Sequence, residues 1–252
     1  MAGTLAGKRA LVTGGSKGIG GAIALGLARA GADVVIGHRG DDANAGKTVA
    51  AIAALGRRAH AIDADVSQET DAVRLVETAA KNLGGLDILV QSAGINKTLP
   101  TLEATAADFD RIIGVNLRGL FLVGREALRV MVRQGHGGRI INIASELAYL
   151  GFASYPIYCA SKGGVLSLTR SWAREFAPHI LVNAIAPGPI DTDLLGWDRM
   201  SPEKQAREAA AVTLGRIGKP EELAGVAVFL AGPDATYVTG QCYGVNGGAV
   251  MT

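Results

Sequence analysis

The segment Lys8–Gly31, KRALVTGGSKGIGGAIALGLARAG, joins a short apolar run to a helical pattern through a glycine-rich turn. The apolar residues of Lys8–Thr13 predict a buried strand, and small and apolar residues at helical spacing predict a helix over Gly18–Ala30. Gly31 then occupies the position where a glycine commonly ends a helix. A strand, a tight turn and a helix in this order are the beginning of a βαβ unit.

The rest of the chain repeats this alternation and predicts a single α/β domain over residues 1–252. Further strands are expected at Asp33–His38, Ala59–Asp63, Leu86–Gln91, Arg139–Ala144, Ile180–Ile185 and Gln241–Val245. Helices are expected at Asp41–Leu55, near Gln68–Leu83, over about Ala104–Arg133, around Tyr158 and at Glu221–Leu230. Alternation of this kind indicates a doubly wound, mostly parallel, Rossmann-type sheet with helices on both faces.

Composition indicates a globular protein and excludes several classes of function. Hydrophobic residues make up 48% of the chain and charged residues 19%, which is too apolar for a disordered protein. A net charge of +2 without any block of like charges predicts no nucleic-acid partner. No membrane span, signal peptide or metal-binding cluster of cysteines is evident. We therefore expect a cytoplasmic protein without a metal site or a membrane partner.

The glycine-rich turn TGGSKGIG, Thr13–Gly20, follows the first strand, where a doubly wound sheet binds its ligands. Glycines let the backbone approach a pyrophosphate closely, and the helix N-terminus adds free N–H groups and a positive dipole. The spacing GxxxGxG departs from the GxGxxG of the usual dinucleotide fingerprint. A tight connection alone is the plainer alternative, but the position after the first strand favours a dinucleotide site.

Tyr158 and Lys162 lie four residues apart, so on a helix their side chains share one face. An ammonium group near a phenol is expected to lower the pKa of the phenol, which suits the tyrosine for general acid–base chemistry. The helix is expected to begin with Ser154 as N-cap and Pro156 in its first turn. Ser145 follows a predicted strand and could hold the same substrate oxygen. By itself the YxxxK spacing fits equally well a packed tyrosine and a lysine that reaches the surface.

Together these motifs resemble the short-chain dehydrogenase/reductase family, and most closely its 3-oxoacyl-[carrier-protein] reductase-like members. The resemblance covers nearly the whole chain and adds Asn116 in VNLRG, Pro187-Gly188 and YVTGQCYGVNGG. It implies an enzyme that moves hydride between a nicotinamide and a ketone or secondary alcohol. It implies that Tyr158 is the acid/base and that Ser145 orients and stabilises the substrate oxygen. It also implies that Lys162 lowers the pKa of the tyrosine and binds the nicotinamide ribose, and that Asn116 holds a water of the proton relay.

The residues expected to hold the cofactor combine this resemblance with the charges near the second strand. They are Gly14, Ser16, Lys17, Gly18, Ile19, Gly20, His38, Arg39, Asp65, Val66, Ala93, Gly94, Tyr158, Lys162, Pro187, Gly188, Ile190 and Thr192. This chain has Gln91-Ser92 where the family usually has two asparagines, so the support given by the first asparagine is in question.

The end of the second strand favours NADP(H) over NAD(H). It carries His38-Arg39 and no carboxylate that could bind the ribose hydroxyls of NAD. Arg39 and Lys17 could instead face a 2′-phosphate. Asp41 and Asp42 would repel that phosphate if they faced inward, but they are expected to start the next helix.

The substrate pocket is expected around Asn96, Glu146–Ile157 and a lid at about residues 188–215. Apolar lining would come from Tyr149, Phe152, Tyr155, Leu194 and Trp197, whereas Asn96, Glu146 and Asp193 could meet hydroxyls. A carbonyl or 3-oxoacyl reductase is favoured, and a sugar or polyol dehydrogenase stays open. A non-catalytic dinucleotide sensor is disfavoured, because it would need no serine, tyrosine, lysine and asparagine together.

Two surface features bear on partners. Arg125, Arg129 and Arg133 could dock an acyl carrier protein. A solvated face, or salt bridges to neighbours such as Glu126 and to another subunit, is favoured instead. The family resemblance implies a homotetramer. The apolar C-terminal quarter supports it, because soluble monomers rarely expose large apolar patches. The last residues, Gly248–Thr252, are then expected near the active site of a neighbouring subunit.

Overall fold

A computed structural model describes residues 3–251, which form one seven-stranded sheet with helices on both faces. The strands are β1 (Arg9–Thr13), β2 (Asp33–His38), β3 (Ala59–Asp63), β4 (Ile88–Gln91), β5 (Gly138–Ile143), β6 (Ile180–Pro187) and β7 (Cys242–Val245). Their order is β3-β2-β1-β4-β5-β6-β7, and neighbouring strands pair in parallel. The predicted doubly wound α/β fold is confirmed.

The helices are α1 (Gly18–Arg29), α2 (Asp42–Ala54), α3 (Glu69–Leu83), α4 (Ala106–Ile113), α5 (Leu120–Gln134), α6 (Leu147–Leu150), α7 (Pro156–Phe176), α8 (Pro202–Ala210) and α9 (Glu221–Ala231). Residues of α1, α2 and α9 form the core on one face of the sheet, and residues of α3, α5 and α7 form the core on the other. Because both faces are covered, β2, β4 and β6 are buried along their whole length.

The long helical region predicted at Ala104–Arg133 is present, but it is not uniform. A π-helical turn, Gly114–Gly119, separates α4 from α5 and carries Asn116. Single π turns inside α-helices often occur at functional sites, because the extra residue redirects a side chain. Here the turn directs the Asn116 amide toward the loop that follows β4.

The predicted start of the tyrosine-bearing helix is wrong by one residue. Tyr155 occupies the N-cap position of α7 and Pro156 its first turn, as expected for the proline. Ser154 instead has a left-handed backbone with φ of 64°, and its carbonyl oxygen accepts a hydrogen bond of 2.7 Å from Leu99 N. This contact holds Ser154 in the turn that precedes the N-cap residue of α7. The short helices α6 and α8 are also absent from the sequence prediction.

Two of the three arginines of α5 are paired within the chain, and the third, Arg133, is exposed. Arg125 lies 2.6 Å from Glu69 and 2.8 Å from Glu126, and Arg129 lies 2.9 Å from Glu126. The salt bridges expected for this helix are present at Arg125 and Arg129, and docking of a carrier protein stays untested. No helix within residues 3–251 is long and apolar enough to cross a membrane. That part of the chain also holds no group of three His, Cys, Asp or Glu side chains suited to a metal ion.

Candidate active site

The strand order reverses between β1 and β4, and the loops after these two strands lie against each other. Gly14 has φ of 64°, and a Cβ atom there would lie 2.9 Å from the backbone of Ala93. Thr13 Oγ1 accepts hydrogen bonds of 3.2 Å from the backbone N–H groups of Ser92 and Ala93. Sequence reasoning did not assign a role to Thr13. Its hydroxyl fixes the crevice in which doubly wound sheets bind ligands.

The glycine-rich turn fits a pyrophosphate group. Gly18 opens α1 with φ of 55°, and a Cβ atom on Gly20 would collide with the carbonyl oxygen of Gly14. The first turn of α1 has no acidic residue and no side-chain cap, so its N–H groups remain available to an anion. Thr192 lies over this helix start, because its Cγ2 atom is 3.5 Å from the Cβ position of Gly18.

The charges around the end of β2 are arranged differently from the prediction. Asp41 starts α2 at its N-cap position, as expected, but its side chain does not cap the helix. Its carboxylate faces the glycine-rich turn, where it accepts a hydrogen bond of 2.8 Å from Ser16 Oγ and lies 3.9 Å from Lys17 Nζ. Asp42 is highly exposed, as expected for a residue in the first turn of the helix.

Two cationic side chains lie near the end of β2, one directly after the strand and one in the glycine-rich turn. Arg39 has a side chain that is 64% exposed, and its Nε atom lies 3.1 Å from Asp65. Lys17 Nζ lies 2.7 Å from Asp193. Asp193 was suggested as a partner for substrate hydroxyls, but its carboxylate instead joins the segment after β6 to the glycine-rich turn.

The other predicted cofactor residues lie along the same edge of the sheet. His38 is buried at the end of β2, and Val66 is buried after β3 against Gly119. Gly188 donates its N–H to Val245 O over 3.1 Å, at the end of β6. Ile190 is buried in the core on the α1 side of the sheet. Ile19 is partly buried and packs against that same core.

The four predicted catalytic residues come together at the carboxyl end of β5. Ser145 follows this strand, and Lys162 Nζ donates a hydrogen bond of 2.7 Å to Ile143 O near its end. The same Nζ atom lies 5.7 Å from the centre of the Tyr158 ring. A Cβ atom on Gly94 would lie 3.5 Å from Asn116 Oδ1 and 3.8 Å from Lys162 Nζ. The loop after β4, the π turn and α7 therefore meet at one place.

The Asn116 amide ties these elements together. Its Oδ1 atom accepts from Ile95 N over 2.8 Å, and its Nδ2 atom donates to Ile95 O over 2.9 Å. Nδ2 also lies 3.1 Å from Ser161 Oγ, which in turn donates to Tyr158 O over 2.7 Å. Ser161 is a positioning residue that the motif reading missed. Its place one residue before Lys162 was the available signal.

The unusual Gln91 is accommodated by a buried polar chain between β4, β5 and α7. Gln91 Nε2 donates to Asn142 Oδ1 over 3.0 Å, and Asn142 Nδ2 donates to Thr169 Oγ1 over 2.9 Å. Because these side chains are buried, the contacts satisfy donors that would otherwise be costly. With a glutamine at position 91, hydrogen bonds therefore still connect β4 to α7 through Asn142. Gln91 Oε1, by contrast, is buried without a hydrogen-bond partner among residues 3–251.

Burial dominates the ionisation of the catalytic pair. It raises the pKa of Tyr158 to about 12, although the Ser145 hydroxyl acts in the opposite direction. It also lowers the pKa of Lys162 to about 8. The expected lowering of the tyrosine pKa is therefore wrong for this structure. Both groups are removed from water, and this effect outweighs the attraction between an ammonium and a phenolate.

The predicted substrate residues lie in the loop after β4, on α6 and beside it up to the start of α7, and in the segment after β6. Tyr149, Phe152 and Leu194 are exposed apolar side chains. Phe152 packs edge-on against Tyr155, with ring centres 5.6 Å apart, and the Tyr155 hydroxyl lies 2.7 Å from Thr98 Oγ1.

The remaining residues of this set differ in how they are held. Asn96 accepts a hydrogen bond of 2.8 Å from Lys97 N, and Trp197 starts a short 3₁₀ turn, where its carbonyl oxygen accepts from Gln205 Nε2. Glu146 is buried, and its Oε2 atom has no hydrogen-bond partner among residues 3–251.

Several relatives match this chain over nearly their whole length. A short-chain dehydrogenase/reductase of Armillaria gallica is 45% identical, with 97% of each chain covered. An L-rhamnose 1-dehydrogenase (NAD(P)(+)) of a Sphingomonas species is 41% identical, with 97% of this chain and 96% of the relative covered. A 3-oxoacyl-[acyl-carrier-protein] reductase of Aquifex aeolicus is 39% identical, with 97% and 98% covered.

Solved structures agree with these relatives. A short-chain type dehydrogenase/reductase of Mycobacterium marinum superposes with a TM-score of 0.93 at 38% identity, covering 98% of this chain and 97% of the other. A short chain dehydrogenase of Burkholderia cenocepacia in complex with NADP gives 0.92 at 38% identity, covering 98% and 99%. A family model described as enoyl-(acyl carrier protein) reductase matches residues 14–250. The chain therefore belongs to the short-chain dehydrogenase/reductase family, as a nicotinamide-dinucleotide-dependent oxidoreductase that acts on CH–OH groups.

Proposed function

We propose that the protein is an NADP(H)-dependent oxidoreductase that interconverts a ketone and a secondary alcohol, with Tyr158 as acid/base. The observation that carries this proposal is the cluster of Ser145, Tyr158, Lys162 and Asn116 beside the crevice between β1 and β4. A bound nicotinamide supplies hydride to the carbonyl carbon, or accepts it in the reverse direction. The protein must then hold the oxygen of the substrate and manage one proton.

Each catalytic side chain has a distinct task in this proposal. Tyr158 donates its phenolic proton to the substrate oxygen during reduction, and its raised pKa keeps that proton available at neutral pH. Ser145 donates a hydrogen bond to the same oxygen and orients it. Lys162 carries positive charge beside the phenol, which offsets negative charge that develops there. Asn116 holds the loop after β4 and α7 in register, so that these groups meet at one point.

The preference for NADP(H) rests on charge. Arg39 and Lys17 both expose their side chains near the end of β2, where a 2′-phosphate of the cofactor would lie. Asp41 faces the same region and partly offsets these charges. In this proposal the exposed Arg39 guanidinium leaves Asp65 and binds the phosphate with two hydrogen bonds.

We also propose that residues 188–215 act as a lid over the substrate. The segment includes α8 and the exposed Leu194, and it is joined to the glycine-rich turn by the Lys17–Asp193 pair. Closure of such a segment excludes water from the reacting groups. Because Lys17 also lies at the cofactor side, cofactor binding and lid position would influence each other.

The function is tested by following the absorbance of the reduced nicotinamide in the presence of candidate substrates. Ketoesters, diketones, 3-oxoacyl thioesters and sugars are offered with each cofactor in turn. We expect turnover with at least one ketone or secondary alcohol, and higher kcat/KM with NADP(H). Cofactor binding without turnover on any substrate would contradict an enzymatic role and would favour a dinucleotide sensor.

A further inference from the structure

Glu146 is a buried carboxylic acid next to the catalytic serine. Its backbone N–H donates to Pro187 O over 3.0 Å, which fixes the residue between the ends of β5 and β6. The residue is only 9% exposed. Its Oε2 atom is buried and accepts no hydrogen bond from the described residues 3–251. A buried carboxylate oxygen without a partner is rare in folded proteins and calls for an explanation.

The surroundings of Glu146 do not neutralise it. Burial and the nearby carboxylate of Glu208 on α8 raise its pKa to about 7. Removing a carboxylate from water without a cation or hydrogen-bond donors destabilises the folded state. A residue with only a packing role could be apolar at this position without that cost. Costly ionisable groups in a cleft are characteristic of functional sites.

The position of this carboxyl group relates it to the reacting atoms. Its negative charge also acts on Tyr158 and contributes to the raised pKa of the phenol. Glu146 therefore lies close to the group that exchanges a proton with the substrate oxygen. It also directly follows Ser145 in the chain, so both residues belong to the same end of β5.

We propose that Glu146 is a specificity-determining residue that accepts a hydrogen bond from a hydroxyl group on the carbon next to the reacting one. The inference rests on the proposed oxidoreductase function and names its substrate class: vicinal diols and α-hydroxy ketones, as found in polyols and sugars. A 3-oxoacyl thioester carries no hydroxyl on the adjacent carbon, so it would leave Oε2 without a partner. An anionic substrate would in addition be repelled by Glu146 and Glu208.

A matched pair of alcohols tests this inference. Cyclohexanol and 1,2-cyclohexanediol, as separate cis and trans isomers, differ by one hydroxyl group next to the reacting carbon. Their oxidation is measured at pH 8, where Glu146 is mostly ionised, with the wild type, Glu146→Gln and Glu146→Leu. Glu77→Gln is the control, because its carboxylate is exposed on α3, outside both the catalytic cluster and the proposed lid. Melting temperature and cofactor affinity are recorded for each variant.

The wild type should prefer one diol isomer over cyclohexanol by about 10- to 100-fold in kcat/KM, which is the usual effect of a hydrogen bond to a charged group. Glu146→Leu should abolish this preference, because its kcat/KM for the diol should fall much further than its kcat/KM for cyclohexanol. Glu146→Gln should retain part of the preference, because the amide oxygen still accepts. If the leucine variant does not fold, the near-isosteric glutamine variant carries the comparison.

Three results would overturn the inference while the oxidoreductase function stands. One is a wild type that turns over some alcohol but prefers neither diol isomer. Another is an equal loss on both alcohols in the variants, which would indicate a positioning role. The third is a preference for trans-2-aminocyclohexanol over the diols, which would indicate a cation site. By contrast, a wild type that turns over no alcohol or carbonyl would contradict the proposed function itself.

Discussion

Tyr158 and Lys162 are both buried, and burial favours the neutral form of each. The pKa of the phenol is raised to about 12, and the pKa of the ammonium is lowered to about 8. At neutral pH the tyrosine therefore holds a proton that it can donate to a substrate oxygen. In this state the residue pair suits carbonyl reduction, and the lysine still carries most of its charge.

Arg39 allows a test of the cofactor preference at a single side chain. Arg39→Asp removes a phosphate partner and places a third carboxylate beside Asp41 and Asp65. We expect the affinity for NADPH to fall by about 10- to 100-fold, with a much smaller change for NADH. Fluorescence titration of both cofactors into both proteins measures the two dissociation constants.

The matched control for this charge reversal is Arg133→Asp. Arg133 is exposed near the end of α5, which precedes the amino end of β5, so it lies on the opposite edge of the sheet from the cofactor crevice. It should leave both dissociation constants unchanged. An unaltered cofactor preference in Arg39→Asp, or a wild type that already prefers NADH, would show that Arg39 does not select the 2′-phosphate.

Glu146 should make stability depend on pH in a defined direction. Its pKa is about 7 in the folded protein and 4.5 ordinarily, so folded chains keep a proton that unfolded chains lose between these values. Stability is therefore lost as pH rises through this window, and the cost is complete above about pH 7. Glu146→Gln removes this cost, because an amide does not ionise. We expect the variant to be more stable than the wild type by about 1–3 kcal/mol at pH 8, and much less so at pH 5.

Urea unfolding at the two pH values measures this difference. Glu208 acts on Glu146, and Glu146 acts on Tyr158. Both of these neighbours remain in the variant, so the comparison removes one carboxyl group. A gap of the same size at pH 5 and pH 8 would mean that Glu146 is not a buried acid with a raised pKa.

At the scale of elements, loops after the strands carry the site, and the helices fix those loops. The π turn holds the loop after β4 through the Asn116 amide, and Thr13 holds the other end of that loop. The glycine at position 94 lies between these two anchors. A glycine in such a loop has no side chain, so a ligand can approach the backbone closely there.

Gly94→Ala tests whether the space beside this glycine belongs to the cofactor. Its new methyl group would lie 3.5 Å from Asn116 Oδ1 and 3.8 Å from Lys162 Nζ, which are ordinary contacts. We therefore expect a melting temperature close to that of the wild type but cofactor affinity lowered about tenfold or more. Gly46→Ala, in open space on α2, is the control and should not affect binding. Unchanged affinity in Gly94→Ala would place the cofactor elsewhere.

Periodicity and motif order predicted these elements well, because each depends on local chemistry. The first strand, its glycine turn and the helix to Arg29 follow directly from spacing. The sequence could not give the Ser154 conformation, the inward turn of Asp41 or the pKa of Tyr158. Each of these depends on contacts with a distant segment: Leu99 for Ser154, Ser16 for Asp41, and the whole buried surroundings for the phenol.

At the scale of the whole molecule, the sheet order brings distant residues to one edge. Residues from β1, β4, β5 and β6 meet there although they span most of the chain. The apolar C-terminal quarter serves the core of its own subunit in part, since Leu223, Ala227 and Leu230 are fully buried. Phe229 remains 37% exposed and packs edge-on against Tyr243 on β7, which ends the sheet.

This exposed edge supports the predicted tetramer. Light scattering should give a mass near four chains, because pairing at β7 and α9 would cover the apolar side chains there. Phe229→Glu should lower that mass. Removing 247–252 should lower both mass and activity, since Leu214 N donates to Gly247 O over 3.0 Å and Thr213 Oγ1 to Gly248 O over 2.8 Å. Thr252, the last residue of that segment, lies outside the described residues. A fully active monomer would contradict the assembly.

The proposed mechanism depends most on Tyr158 as the acid/base, and Tyr158→Phe tests this role directly. The variant keeps the ring and loses one hydroxyl group, so fold and cofactor affinity should be retained. Oxidation of NADPH with the best carbonyl substrate should fall by about 10²- to 10⁴-fold, which is the usual contribution of acid–base catalysis. Tyr237→Phe, at a fully exposed tyrosine, should match the wild type. Turnover near the wild-type rate in Tyr158→Phe, with cofactor bound, would show that Tyr158 is not the acid/base.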